Sequence, residues 1–212
     1  MMAHILLADD HNIVRAGIRR LIGEHFRGVQ IDEAGDGNDT LNRLRSNGYD
    51  LVLLDISMPD ADFGQLMDWM KVTSPGTRVL VFTMHREDIY GVRCLNLGAR
   101  GFLQKTASEE EIIRAIKRVL DDKKYISPNL AELLAESRNN PEQSNPFDHL
   151  SEREMGIAIL LNKGKSLPEI CDILHIQYST ANTHKRRLFE KLNVHSILSL
   201  SKLMQAYKIV DS

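Results

Sequence analysis

Four consecutive aliphatic residues, Leu51-Val52-Leu53-Leu54, run directly into Asp55 and then Ile56-Ser57-Met58-Pro59. A surface strand alternates apolar and polar residues; an unbroken apolar run, with Gly48 before it and Pro59 after it, suits a strand covered on both faces. Such strands belong to parallel sheets wrapped by helices, whose ligands bind at the carboxyl ends of the strands. Asp55 therefore stands where chemistry is expected, although an Asp taken alone is as readily a turn former.

The sequence up to about residue 120 repeats this arrangement. His4–Ala8 reads as a strand, and Ile13, Val14, Ile18, Leu21 and Ile22 follow at helical spacing between Asn12 and Glu24. Val29–Ala34 alternates weakly, and Leu41 and Leu44 mark a helix closed by Asn47-Gly48. Leu66, Met67, Trp69 and Met70 mark another, stopped by Ser74-Pro75-Gly76; Arg78–Phe82 is a second buried strand. A helix from Ile89 to Leu97 closes at Gly98, Gly101–Leu103 is a short strand, and Ser108 with Glu111 opens a last helix through Leu120. Five strand–helix pairs predict an α/β fold, a doubly wound five-stranded parallel sheet with helices on both faces.

The strand ends then line up at one edge of the sheet: Asp9 and Asp10, Asp55, Thr83 and Lys105. Three carboxylates there repel one another unless a hard divalent cation is shared, and Mg²⁺, which binds few carboxylates and keeps several waters, suits them. Thr83 and Lys105 add donors for the oxygens of a phosphoryl group.

Residues 3–123 resemble the CheY-like receiver domain of bacterial two-component response regulators, through Asp9-Asp10, Asp55-Ile-Ser-Met-Pro59, Thr83 and Gly101-Phe-Leu-Gln-Lys105. The resemblance implies that Asp55 accepts a phosphoryl group from a sensor histidine kinase. It also implies that Mg²⁺ is held by Asp10, Asp55 and the carbonyl of Ser57, with Asp9 assisting. By the same resemblance Thr83 and Lys105 hold the phosphoryl oxygens, and Phe102 turns inward on activation. Two positions depart from the family pattern: Phe63, followed by Gly64, stands where Gly is usual, and Thr106 follows the lysine where Pro is common.

Beyond residue 123 the pattern changes. Ser127-Pro128 opens a helix carrying Leu130, Leu133 and Leu134, and Arg138–Pro146 is a polar, proline-containing tether, so residues 124–147 read as a linker with one helix. From 148 to 212 all signals are helical. Ser151 and Glu154 form a capping box, Gly164 ends that helix, Ser166 opens a short one, and Ser179 or Thr180 caps a longer one running to Leu192. Two helices joined by so short a turn, the second carrying Lys185, Arg186, Arg187 and Lys191, fit an all-α helix-turn-helix domain; the charges alone fit a solvated face equally well.

Residues 148–210 are similar to the LuxR-type helix-turn-helix of the NarL/FixJ family, through Leu150-Ser-Glu-Arg-Glu154, Lys163-Gly164, Glu169-Ile170, Ser179-Thr-Ala-Asn-Thr-His184 and Glu190-Lys-Leu-Asn-Val194. The run Asn145-Pro-Phe147 is similar to that of GacA/UvrY-type members. The resemblance implies double-stranded DNA as partner, with Asn182, Thr183 and Arg186 facing it and Lys185, Arg187 and Lys191 as further contacts; it also implies a homodimer when active. Ala181, Pro168 and the tail helix Leu198–Tyr207 depart from the common pattern.

Several classes are disfavoured. No apolar run approaches the ~18 residues of a membrane span, and the first residues lack a secretion signal, so a cytoplasmic, non-enzymatic regulator is expected. Cys94 and Cys171 suggest neither a disulfide framework nor a zinc site. His175 and His184 read as capping or packing groups, and Tyr178 and Phe189 as core. The alternatives are a regulator controlled by dimerisation without phosphorylation, and a protein-docking helical module.

Overall fold

Five short strands, β1 (His4–Ala8), β2 (Gln30–Ala34), β3 (Leu51–Leu54), β4 (Arg78–Thr83) and β5 (Gly101–Gln104), pair in parallel in the order β2-β1-β3-β4-β5. They are seen in a computed structural model that describes residues 3–59, 63–139, 145–207 and 209. All four residues of β3 are buried, as an apolar run without alternation requires. On one face Leu51, Leu53, Leu80, Phe82 and Leu103 pack with Ile18, Leu21 and Ile22 of α1 (Asn12–His25) and Ile112, Ile116 and Val119 of α5 (Glu109–Leu120). Leu6, Val52, Leu54, Val81 and Phe102, on the alternate positions, are buried too, so the opposite face is equally covered. It is left to α2 (Gly37–Ser46), α3 (Phe63–Thr73) and α4 (Glu87–Asn96), which bury Leu44, Met67, Met70, Tyr90 and Cys94.

The helix signals behave as their chemistry predicts. Ser108 Oγ accepts from Glu111 N at 3.3 Å to open α5, and α4 is followed by Gly98 at φ +108°, a conformation that favours glycine. Phe63, at the position where Gly is usual, is the buried first residue of α3.

The chain divides into compact units at residues 1–136 and 137–212, so the first extends past the boundary expected at 123. The physical reason is α6 (Pro128–Asn139), whose first turns are fastened to the sheet unit rather than standing as a free linker. Tyr125 bridges Gly101 beside β5 and donates from its hydroxyl to Glu111 at 2.5 Å, while Ser127 Oγ donates to Glu87 of α4 at 2.7 Å. Leu130 is fully buried against Gly91, where an added Cβ would lie 2.7 Å from its Cδ1. Ser127 Oγ accepts from Leu130 N at 3.0 Å, the N-cap expected of Ser-Pro. The tether expected over Arg138–Pro146 lies largely outside the described residues.

The second unit comprises a 3-10 turn (Pro146–His149), α7 (Glu152–Asn162), α8 (Leu167–Leu174), α9 (Tyr178–Lys191) and α10 (Ile197–Ala206). Phe147 is fully buried and meets Tyr207 edge-on at 6.1 Å. Ala181, although smaller than the usual aliphatic, is fully buried with Leu188 on the inner face of α9, and Pro168 falls in the first turn of α8, where its missing N–H costs nothing. Two expectations are corrected. The cap of α9 is Gln177 rather than Ser179 or Thr180, and Tyr178 is 57% exposed rather than core.

Replacing Leu130 by Ala removes the side chain that fills the space over Gly91. The expected outcome is a loss of ~2–5 kcal/mol in stability of the first unit, read by denaturant unfolding, with faster amide exchange through α6.

Candidate functional site

Backbone hydrogen bonds extend the parallel register one residue past each strand. Asp9 N donates to Ala34 O at 3.1 Å, Asp55 N to Ala8 O at 2.8 Å and Lys105 N to Thr83 O at 2.8 Å. Asp9, Asp55, Thr83 and Lys105 are thus fixed at one edge, at the switch point where β1 and β3 send their crossovers in opposite directions. Lys105 Nζ lies 2.6 Å from Asp55 Oδ2 and 2.7 Å from Asp9 Oδ2, and all three side chains are at most 7% exposed. Burial pulls this ammonium toward its neutral form, but its hydrogen bonds to Asp55 and Asp9 outweigh burial and hold its pKa above the ordinary lysine value. Asp55 Oδ1 accepts from Ser57 N at 3.0 Å, and the fully buried Thr83 accepts from His85 N at 3.4 Å. Phe102 is 1% exposed.

Ligand atoms of Asp9, Asp10, His11 and Asp55 lie within 4.8 Å of one another. Three carboxylates against one ammonium leave two formal negative charges, which fits a divalent metal ion. His11 was not foreseen; its Nδ1 lies 2.8 Å from Asp10 Oδ1 and 3.2 Å from Asp9 Oδ1. Its place directly after two acids was the available signal. Arg15, also unforeseen, pairs with Glu33 at 3.0 Å and donates to the Asp9 carbonyl.

In the second unit His175, at φ 52° and ψ 45°, ends α8 in the left-handed conformation, and only His175, Ile176 and Gln177 separate α8 from α9. This is a helix-turn-helix. Asn182, Thr183, Arg186 and Arg187 are exposed on α9; Lys185 is half-buried, its Nζ 5.6 Å from the ring centre of the half-buried Phe189. A cleft of about 660 Å³ beside the helix is lined by Asn182, Lys185, Arg186 and Phe189 together with Asn193 and His195 from the turn beyond it. Thr183 Oγ1 donates to Ser179 O at 2.9 Å.

Two family descriptions match the chain: the response regulator receiver domain over residues 5–117 and the bacterial regulatory proteins of the luxR family over 148–204. The response regulator UvrY of Escherichia coli K12 is 36% identical over 206 residues, covering 95% of this chain and 93% of that one. The response regulator GacA of Pseudomonas aeruginosa is 35% identical over 213 residues, covering 100% and 99%. Among solved structures, RcsB from Salmonella enterica serovar Typhimurium bound to promoter rprA covers 97% of this chain and 99% of its own, with TM-score 0.61 at 22% identity, and supports the fold. A LuxR-family regulator from Aurantimonas sp. covers 66% of this chain and 99% of its own, with TM-score 0.58 and 31% identity. The chain belongs to the two-component response regulators of the NarL/FixJ family. It is a regulator of transcription rather than an enzyme.

Within this response regulator the expected DNA-contact residues are not equivalent. Lys191 Nζ lies 2.6 Å from Oε2 of Glu154, which is 2% exposed on α7 and also accepts from Ser151 N at 2.6 Å in the capping box. Lys191, its side chain 40% exposed, ties α9 to α7 through this ion pair. Burial pushes the Glu154 carboxyl up, but Lys191 and Ser151 outweigh it and leave its pKa below the usual carboxylate range. No other metal-ligand cluster occurs among the described residues, which leaves His175 and the half-buried His184 outside any such site.

Because the folded pKa of Glu154 is depressed, its stabilisation is complete above the unfolded value near 4.5 and lost as pH falls through the folded value. Lys191→Ala is expected to destabilise the helix-turn-helix unit by about 1–3 kcal/mol at neutral pH. Thermal unfolding across a pH series should show the gap from the parent narrowing below pH 4.5.

Proposed function

We propose that Asp55 is the phosphoryl acceptor of this response regulator, that a sensor histidine kinase is the donor, and that phosphorylation controls binding of α9 to double-stranded DNA. The observation that carries the reading is Asp55 itself, buried at the end of β3 with Lys105 2.6 Å away and Asp9 and Asp10 beside it. Attack by an Asp55 oxygen on a phosphohistidine forms the acyl phosphate P–O bond as the P–N bond breaks, and the departing imidazole takes up a proton. Lys105 and Thr83 then hold the oxygens of the transferred group. Asp10, Asp55 and the Ser57 carbonyl, with Asp9, would hold Mg²⁺, which when bound offsets the charge of acceptor and phosphoryl group. Expected outcomes are one phosphoryl group added by acetyl phosphate with Mg²⁺ and none on Asp55→Asn, read by intact-protein mass; equal labelling of the variant would refute the assignment.

On DNA, Asn182 and Arg186 suit adenine and guanine edges, Thr183 either, and Lys185 and Arg187 the phosphates. The protein acts as a cytoplasmic homodimer on paired half-sites. No described helix is long and apolar enough to cross a membrane. Arg186→Ala should weaken specific binding by ~1–3 kcal/mol and relax preference at one base pair, with binding to unrelated duplex much less affected. Unchanged binding in a gel-shift titration would favour a protein-docking role for α9 instead.

A further inference from the structure

The first residue of α9 is a tyrosine that the fold leaves open. Tyr178 is 57% exposed, follows the three-residue turn out of α8, and is succeeded by Ser179 and Thr180, both exposed. The buried face of α9 is made by Ala181 and Leu188, each at 0% exposure, so this ring is not needed to close the core. Four residues on stands Asn182 and seven on Lys185, spacings that place all three along one flank of the helix. That flank leads into the cleft lined by Asn182, Lys185 and Phe189.

We infer that Tyr178 reads a base edge and is a further specificity-determining residue of this regulator, an inference that rests on the DNA-binding reading above. Three physical points support it. In a helix-turn-helix the residues at the start of the second helix enter the major groove and meet the bases, and Lys185 and Arg187 further along are available to the phosphates. A tyrosine ring has only two side-chain torsions to order, so it presents a large contact at small entropic cost. Its chemistry suits the groove: the ring packs on a thymine methyl group, and the hydroxyl both donates and accepts hydrogen bonds.

The test uses the full chain and a randomised duplex library, with sites enriched separately by the parent, Y178A and Y178F. The parent is expected to enrich a motif, and Y178A the same motif with one base pair of each half-site made degenerate. Affinity of Y178A for the parent motif should fall about five- to hundred-fold, while binding to a scrambled duplex changes less than about twofold. Y178F, the gentler substitution, should alter preference at that same base pair alone. Motifs returned unaltered by both variants would overturn the inference, as would an equal loss on motif and scrambled duplex, which marks a phosphate anchor. Failure of the parent to enrich any motif would instead remove the DNA-binding reading itself.

Discussion

One ammonium group, on Lys105, holds the functional edge of the sheet together. It sits 2.6 and 2.7 Å from Asp55 and Asp9, on a side chain only 5% exposed. Two carboxylates this deeply buried repel one another, and the cation between them offsets that repulsion. The cation in turn is brought there by β5, whose position depends on pairing with β4, which pairs with β3. Every strand between Asp9 and Lys105 must therefore be in register for the cluster to exist. That register pairs Ala8 with Leu54, Leu54 with Val81 and Thr83 with Gln104.

The same logic, on a smaller scale, sets the recognition helix. Glu154 is buried on α7 and closes the capping box with Ser151. Lys191 compensates its charge from the last turn of α9. A helix held this way by Lys191 at one end, and by Ala181 and Leu188 along its inner face, presents its remaining polar residues in fixed order.

Past α5, α6 gives the receiver unit a helical extension fastened to β5, α4 and α5. Glu87 of α4 accepts from Ser127, and Glu111 of α5 accepts from Tyr125. Gly101, which adjoins Phe102, bridges Tyr125 directly. The contact of Leu130 with Gly91 adds an apolar tie between α6 and α4.

The order of elements, the parallel sheet and the convergence of Asp9, Asp10, Asp55, Thr83 and Lys105 were legible in the chain, because apolar runs bounded by Gly and Pro locate strand ends without reference to anything distant. The capping boxes were legible for the same reason, since Ser151 and Glu154 need only each other. What tertiary structure alone decided concerns residues whose partners lie far along the chain. Leu130 reads as the face of a linker helix until Gly91 leaves space for it; the partner of Lys191, Glu154 at 2.6 Å, lies 37 residues away. Tyr178 reads as core until Ala181 and Leu188 are seen to fill the inner face of α9 without it. Local pattern fixes which backbone conformation a segment takes, but the side a residue faces, and the charge it meets, are set by whichever element packs against it.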